Sequence, residues 1–263
     1  MSVLDGGTAL VTGATGGLGH AIARALAGRG ASVVVSGRRA DVLEPLASEL
    51  GGRAIAADLA IRGEAERLLA EAGEIDVLVN NAALPASGEI EGYSPEQIDR
   101  ALEVNLRVPV ILTRLLLPEL RRRGRGHIVF VSSLSGKTAT ARSALYSATK
   151  FGVRGFAFGL RQDLHSTPVG VSVVSPGPIR DAGMFADSGV KAPPGSTRTP
   201  ADVAAAVLRA IDRNAAEVVV APPALRAATA LGVLSPSLTE RFNRLTGTNK
   251  IADRVGGGQR DKR

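Results

Sequence analysis

Apolar residues arrive along this chain in two alternating patterns, short continuous bursts and longer stretches at helical spacing. TALVT (8–12) reads as a short buried strand with glycines directly behind it. LGHAIARALAGRG (18–30) then spaces its apolar residues as a helix and closes on Gly30. The alternation repeats. ASVVVSG (31–37) predicts a strand and ADVLEPLASELGG (40–52) a helix. RAIAADL (53–59) predicts a strand, EAERLLAEAG (64–73) a helix and IDVLVNNA (75–82) a strand. The stretch 94–124 opens on a Ser94 cap and predicts one long helix that Pro109 should kink. GHIVFVSS (126–133) is the fifth strand, 144–166 a long helix, and VGVSVVSPG (169–177) the sixth strand. Residues 178–198 are aperiodic and rich in Gly and Pro, TPADVAAAVLRAIDRN (199–214) is a capped helix, and EVVVAP (217–222) is a seventh strand. Strands alternating with helices predict an α/β fold, one doubly wound parallel sheet of about seven strands flanked by helices. No strand is expected beyond 223, and the terminal VGGGQRDKR reads as frayed. The expected division is therefore one doubly wound domain at 1–222, with 178–198 as its lid, and a C-terminal extension at 223–263.

Composition narrows the chemistry. The 263 residues are 44% hydrophobic but only 3% aromatic, without Trp. A core of Val, Ile, Leu and Ala suits parallel strands buried on both faces. There is no Cys, which excludes disulfides and thiolate chemistry and agrees with a cytoplasmic location. His20, His127 and His165 lie far apart without metal-ligand spacing, so no metal is expected. No signal peptide and no apolar run of membrane-spanning length is evident. The net charge is +7, but residues 241–263 carry seven Lys/Arg and two Asp, leaving only +2 elsewhere. Basicity confined to a tail, without interleaved aromatics, argues against nucleic acid as a partner.

The candidate chemistry begins at the first strand–helix junction. TGATGGLG (12–19) allows the backbone to turn tightly and offers the N–H groups of a helix start to a phosphate, the requirement for a dinucleotide. SGKT (135–138) ends like an NTPase phosphate loop, but Val131 stands where that motif needs its first Gly. Tyr146 and Lys150, in YSATK, share a helix face four residues apart and lie thirteen residues and more after Ser133.

With these motifs in this order, the chain resembles the short-chain dehydrogenase/reductase family from about residue 5 to 221. Thr12, Gly13, Gly17 and Gly19 match its glycine motif, and NNAA (80–83) its NNAG. Asn105, Ser133, Tyr146 and Lys150 match its catalytic set, and Pro176–Gly177 its PG after strand six. The resemblance implies a single-domain Rossmann-type fold and a nicotinamide cofactor. It assigns that cofactor to Gly13, Thr15, Gly17, Leu18 and Gly19 in the turn, and to Asp58 and Leu59 after the third strand. Asn81 and Ala82 follow the fourth strand, and Pro176, Gly177 and Ile179 the sixth; Tyr146 and Lys150 complete the set. Two positions depart from the family pattern: Ala83 for its Gly, and Asp181 where a Thr or Ser is common near the nicotinamide amide. At the end of the second strand, Gly37 stands where NAD-using relatives carry an acid, and Arg38 and Arg39 follow. Arginine pairs bidentately with a 2′-phosphate, so NADP(H) is expected over NAD(H).

The chemistry follows from the residue types. Reducing a ketone leaves an alkoxide that needs a proton, which the Tyr146 hydroxyl can give. A lysine one turn away favours the phenolate, Ser133 can hold the carbonyl oxygen, and by resemblance Asn105 anchors a water that relays protons to Lys150. Met184 and Phe185 in the lid suggest an apolar or amphipathic carbonyl or alcohol substrate. The apolar stretch 224–245 is expected first over the substrate mouth, then on a partner subunit, then against a membrane surface. Long helices at 104–123 and 144–166 predict a homodimer rather than a tetramer. The competing reading is a non-catalytic NADP-binding regulatory protein of the same fold.

Overall fold

The computed structural model describes residues 2–190 and 195–235, together with Ser237 and Glu240. Within them, seven parallel strands form one sheet: β1 (Thr8–Val11), β2 (Ser32–Gly37), β3 (Arg53–Ala56), β4 (Val77–Asn80), β5 (Gly126–Val131), β6 (Val169–Pro176) and β7 (Glu217–Val220). Their order is β3-β2-β1-β4-β5-β6-β7. The order reverses between β1 and β4, which opens a crevice at the carboxyl ends of those strands. The helices are α1 (Gly17–Ala27), α2 (Ala40–Glu49), α3 (Glu64–Ala72), α4 (Pro95–Leu102), α5 (Val108–Arg123), α6 (Ala144–Asp163), α7 (Gly183–Ala186), α8 (Pro200–Asp212) and α9 (Pro223–Leu234).

The strands look like unbroken apolar runs because both faces are covered. Ala9, Val11, Val33, Val35, Val77 and Val79 face a core shared with α1 and α8. The residues between them, Leu10, Val34 and Leu78, face the opposite core with α3, α5 and α6. This period of two, with both faces buried, makes most positions of the central strands apolar. Phe130 meets Phe156 of α6 edge to face at 5.8 Å in the second core.

Three local features differ from the sequence expectations. β3 ends at Ala56 rather than at 59, because the Asp58 carboxylate accepts the Ala60 N–H at 3.1 Å and turns the chain away from the sheet. The stretch 94–124 is not a single α-helix up to and past Pro109. It widens one turn earlier, into a π-helical segment at Glu103–Arg107. Pro109 has no N–H to return to the Asn105 carbonyl four residues back, so the ladder is disturbed before the proline itself. The extension beyond 223 opens with α9, a helix the sequence pattern did not single out. The VGGGQRDKR stretch (255–263) expected to be frayed and part of the 178–198 lid lie outside the described residues.

Candidate active site

The glycine turn is built by close approach. A Cβ on Gly13 would stand 2.7 Å from Ala82 Cα, and one on Gly19 would stand 2.5 Å from the Gly13 carbonyl oxygen. Gly13 also has φ +67°, which favours glycine. The Thr12 hydroxyl locks this turn to the end of β4, accepting the N–H groups of Asn81 and Ala82 at 3.1 Å each. Asn81 Nδ2 donates back to the carbonyls of Thr12 and Gly13, at 2.9 and 3.2 Å. Ala83 has no positive φ, so its replacement of glycine carries no backbone strain.

α1 starts at this turn without a side-chain cap and without an acid in its first turn. Its leading N–H groups are thus available to an anion, and the glycine turn fits a pyrophosphate. Beyond it, the Arg39 guanidinium donates to the Thr15 carbonyl at 3.0 Å. Arg38 is exposed and carries no hydrogen bond or ion pair among the described residues. The two arginines therefore differ: one braces the turn and the other is a free cation at its edge.

The catalytic helix is pinned just as closely. Ser132 Oγ donates to the Lys150 carbonyl at 3.0 Å, and Lys150 Nζ donates to the Val131 carbonyl at 2.9 Å. A Cβ on Gly136 would lie 2.5 Å from the Lys150 carbonyl oxygen, so the SGKT stretch needs its glycine to rest on α6. Glu217 of β7 gathers the surrounding elements. It binds Lys137 Nζ at 2.6 Å, Arg154 through both carboxylate oxygens at 3.0 and 3.1 Å, and the Ser175 hydroxyl at 2.7 Å. Burial pushes its carboxyl up, but those bonds outweigh burial and hold it below the usual range.

Lys150 Nζ stands 5.7 Å from the Tyr146 ring centre. Burial pushes the tyrosine up to about 12, opposed by a hydrogen bond with Ser133. Burial holds the lysine down to about 8. In the free protein, burial and not the neighbouring cation sets both groups.

One continuous cavity of about 1670 Å³ joins these parts. Every residue assigned to the cofactor lines it, from Gly13 to Ile179, as do Ser133, Tyr146 and Lys150. Asn105 does not line it. Its side chain is 1% exposed, accepts the Leu84 N–H at 2.6 Å, and donates to the Leu84 carbonyl at 2.9 Å and to Thr149 at 3.5 Å. The amide holds the β4–α4 loop against α6, which uses both of its N–H donors. Asp181 also turns away, with φ +70°, a side chain 68% exposed, and Arg180 as its partner at 3.5 Å. Ala182 takes the inward position, where a Cβ on Gly17 would meet its own Cβ at 2.5 Å. Sequence reasoning named no wall residue on α9, although Leu225, Ala228, Leu231 and Leu234 line the cavity. It did rank the substrate mouth first for this stretch. Among the described residues no cluster suits a metal ion, and no helix is long and apolar enough to cross a membrane.

A profile of the short chain dehydrogenase family matches residues 7–191. The chain is 39% identical to ketoacyl reductase HetN of Nostoc sp., over 96% of each chain. It is 34% identical to dehydrogenase/reductase SDR family member 7B of Bos taurus, over 89% of this chain and 79% of that one. Among solved structures, an actinorhodin polyketide ketoreductase with NADPH matches with TM-score 0.76 and 31% identity, over 84% of this chain and 98% of that one. This chain belongs to the short-chain dehydrogenase/reductase family. It is an oxidoreductase of C=O and CH–OH groups.

Proposed function

We propose that the protein reduces a ketone or 3-oxoacyl-type carbonyl to an alcohol, with NADPH preferred over NADH. The observation that carries this reading is one cavity holding Ser133, Tyr146 and Lys150 together with the uncapped start of α1 and the free Arg38. The similarity to a ketoacyl reductase and to a ketoreductase solved with NADPH supports the substrate type and the cofactor.

The glycine turn would hold the pyrophosphate, Arg38 the 2′-phosphate and Lys150 the nicotinamide ribose. A nicotinamide held there would supply the hydride. Ser133 hydrogen-bonds the carbonyl oxygen and keeps it beside Tyr146, and the phenol proton passes to that oxygen as negative charge develops. Lys150 returns a proton to the tyrosine. Asn105 contributes in two ways: its amide positions the Leu84 loop, and its main-chain carbonyl, which Pro109 cannot bond, would be the acceptor for a relaying water.

Tyr146→Phe tests the assignment. NADPH oxidation should fall by about 10²-fold or more, while cofactor affinity, read by fluorescence titration, stays close to that of the parent. A phenylalanine variant that keeps most of its turnover refutes it. We further propose a homodimer on α5 and α6, whose groove of about 460 Å³ is lined by the half-buried Val110, Leu117 and Phe156. Light scattering should give twice the chain mass of 27.0 kDa; the mass of a single chain refutes the pairing.

A further inference from the structure

We infer that α9 and α7 form an apolar channel for a long alkyl or acyl chain on the carbonyl substrate. This rests on the reductase reading above and names its substrate class.

A single small-molecule site occupies roughly 300–1,000 Å³. At about 1670 Å³ this cavity has room for a second ligand beside a dinucleotide. The lining outside the cofactor residues is of two kinds. Hydroxyls come from Ser87, Thr138, Thr140 and Ser143; apolar side chains come from Met184 and Phe185 of α7 with Leu225, Leu231 and Leu234 of α9, beside Asp187 and Ser235. The apolar lining begins at the reacting end, where Leu225 Cδ2 lies 3.4 Å from the position of a Cβ on Gly177. From Leu225 to Leu234 the helix rises about 14 Å toward solvent. Thr229 spends its hydroxyl on the Leu225 carbonyl at 2.8 Å, so this turn asks no polar partner of a ligand.

The outer end of that lining is bare. Leu231 is 68% exposed and Leu234 is 81% exposed, and Val233 stands beside them at 46%. Among the described residues the other large exposed apolar side chains, Ile61, Ile90 and Phe151, sit on separate elements. A second copy of the chain or a lipid surface would also cover such a patch. Continuity favours the substrate, because Leu231 and Leu234 line the same cavity as Tyr146. An extended chain leaving the carbonyl would run from Leu225 to Leu234, with its polar head against the hydroxyl lining.

The test is the double variant Leu231→Ser, Leu234→Ser, whose sites are exposed enough to spare the fold. Short- and long-chain 3-oxoacyl N-acetylcysteamine thioesters are compared in NADPH-coupled turnover and in calorimetric binding, which needs no turnover. The parent should bind the long chain more tightly than the short one. In the variant that preference should shrink by about tenfold or more. An unchanged long-to-short ratio overturns the inference, and so does a variant that alters only oligomer mass or vesicle co-sedimentation. If no thioester of either length is reduced, the reductase reading fails; the calorimetric ratio still decides the channel.

Discussion

The sharpest prediction separates Arg38 from Arg39. Arg39 already spends a guanidinium donor on the Thr15 carbonyl, whereas Arg38 is exposed and uncommitted. If Arg38 meets the 2′-phosphate, Arg38→Ala removes charge-assisted hydrogen bonds worth about 1.5–3 kcal/mol. That range corresponds to roughly a ten- to hundredfold loss. The site is open to water and salt, so the lower part of the range is expected. Steady-state KM values for NADPH and NADH, measured side by side, read the effect. Arg38→Ala should raise the KM for NADPH about tenfold and leave NADH nearly unmoved. Added salt should narrow the parent's preference for NADPH in the same direction. Arg39→Ala should instead weaken both cofactors together, because it releases the glycine turn that both dinucleotides use. Parallel losses with NADPH and NADH in Arg38→Ala would sink the reasoning. So would a phosphate-specific loss in Arg39→Ala.

Glu217→Ala should cost about 3–5 kcal/mol in chemical denaturation, since it strands Lys137 and Arg154 at partly buried positions. Glu217→Gln, which keeps an acceptor for Ser175, should lose less; equal stability of all three proteins would refute the clamp. His127 is buried against the Ser172 hydroxyl, and burial first, then Arg161, hold it down to about 4. The unfolded chain takes up this proton below about pH 6.5 and the folded chain only near pH 4, so stability should fall on acidification through that window, by about 3 kcal/mol. His127→Asn should flatten that part of the curve in pH-dependent denaturation, and an unchanged slope would show that His127 is not its source.

What the sequence made legible was what it repeats or spaces strictly. Alternating bursts and helical stretches marked the seven strands, because a sheet buried on both faces leaves apolar side chains at most positions of its strands. Tyr146 and Lys150 could be paired because a helix face is fixed by spacing alone. Thr12, Asn81 and Ala82 could be assigned by motif, yet their mutual hydrogen bonds join residues nearly seventy positions apart and have no local signature. Asn105 shows the same limit. Its motif marked it, but its amide is spent on Leu84, and that geometry depends on a π-helical segment one turn ahead of Pro109. α9 escaped notice because its apolar residues serve a cavity rather than the core. Leu231 and Leu234 are exposed, so the stretch lacks the one-sided contrast that marks a packed surface helix.

The proton inventory of the free site bears on direction. Burial drives Tyr146 up to about 12 and Lys150 down to about 8, each toward its neutral form. Near neutral pH the tyrosine therefore keeps its proton and the lysine remains mostly charged. A hydroxyl that holds its proton serves reduction directly, because an alkoxide forming at the carbonyl is the stronger base and takes it. Oxidation asks the opposite of the same oxygen, which must be a phenolate before an alcohol can give up its proton. Ser133 already favours that phenolate through its hydrogen bond, but burial outweighs it in the free protein. Positive charge entering the cavity would shift the balance, and an oxidised nicotinamide carries it while a reduced one does not. The same two residues can thus serve either direction, with the phenol held protonated for reduction and released for oxidation by the charge of the cofactor that arrives.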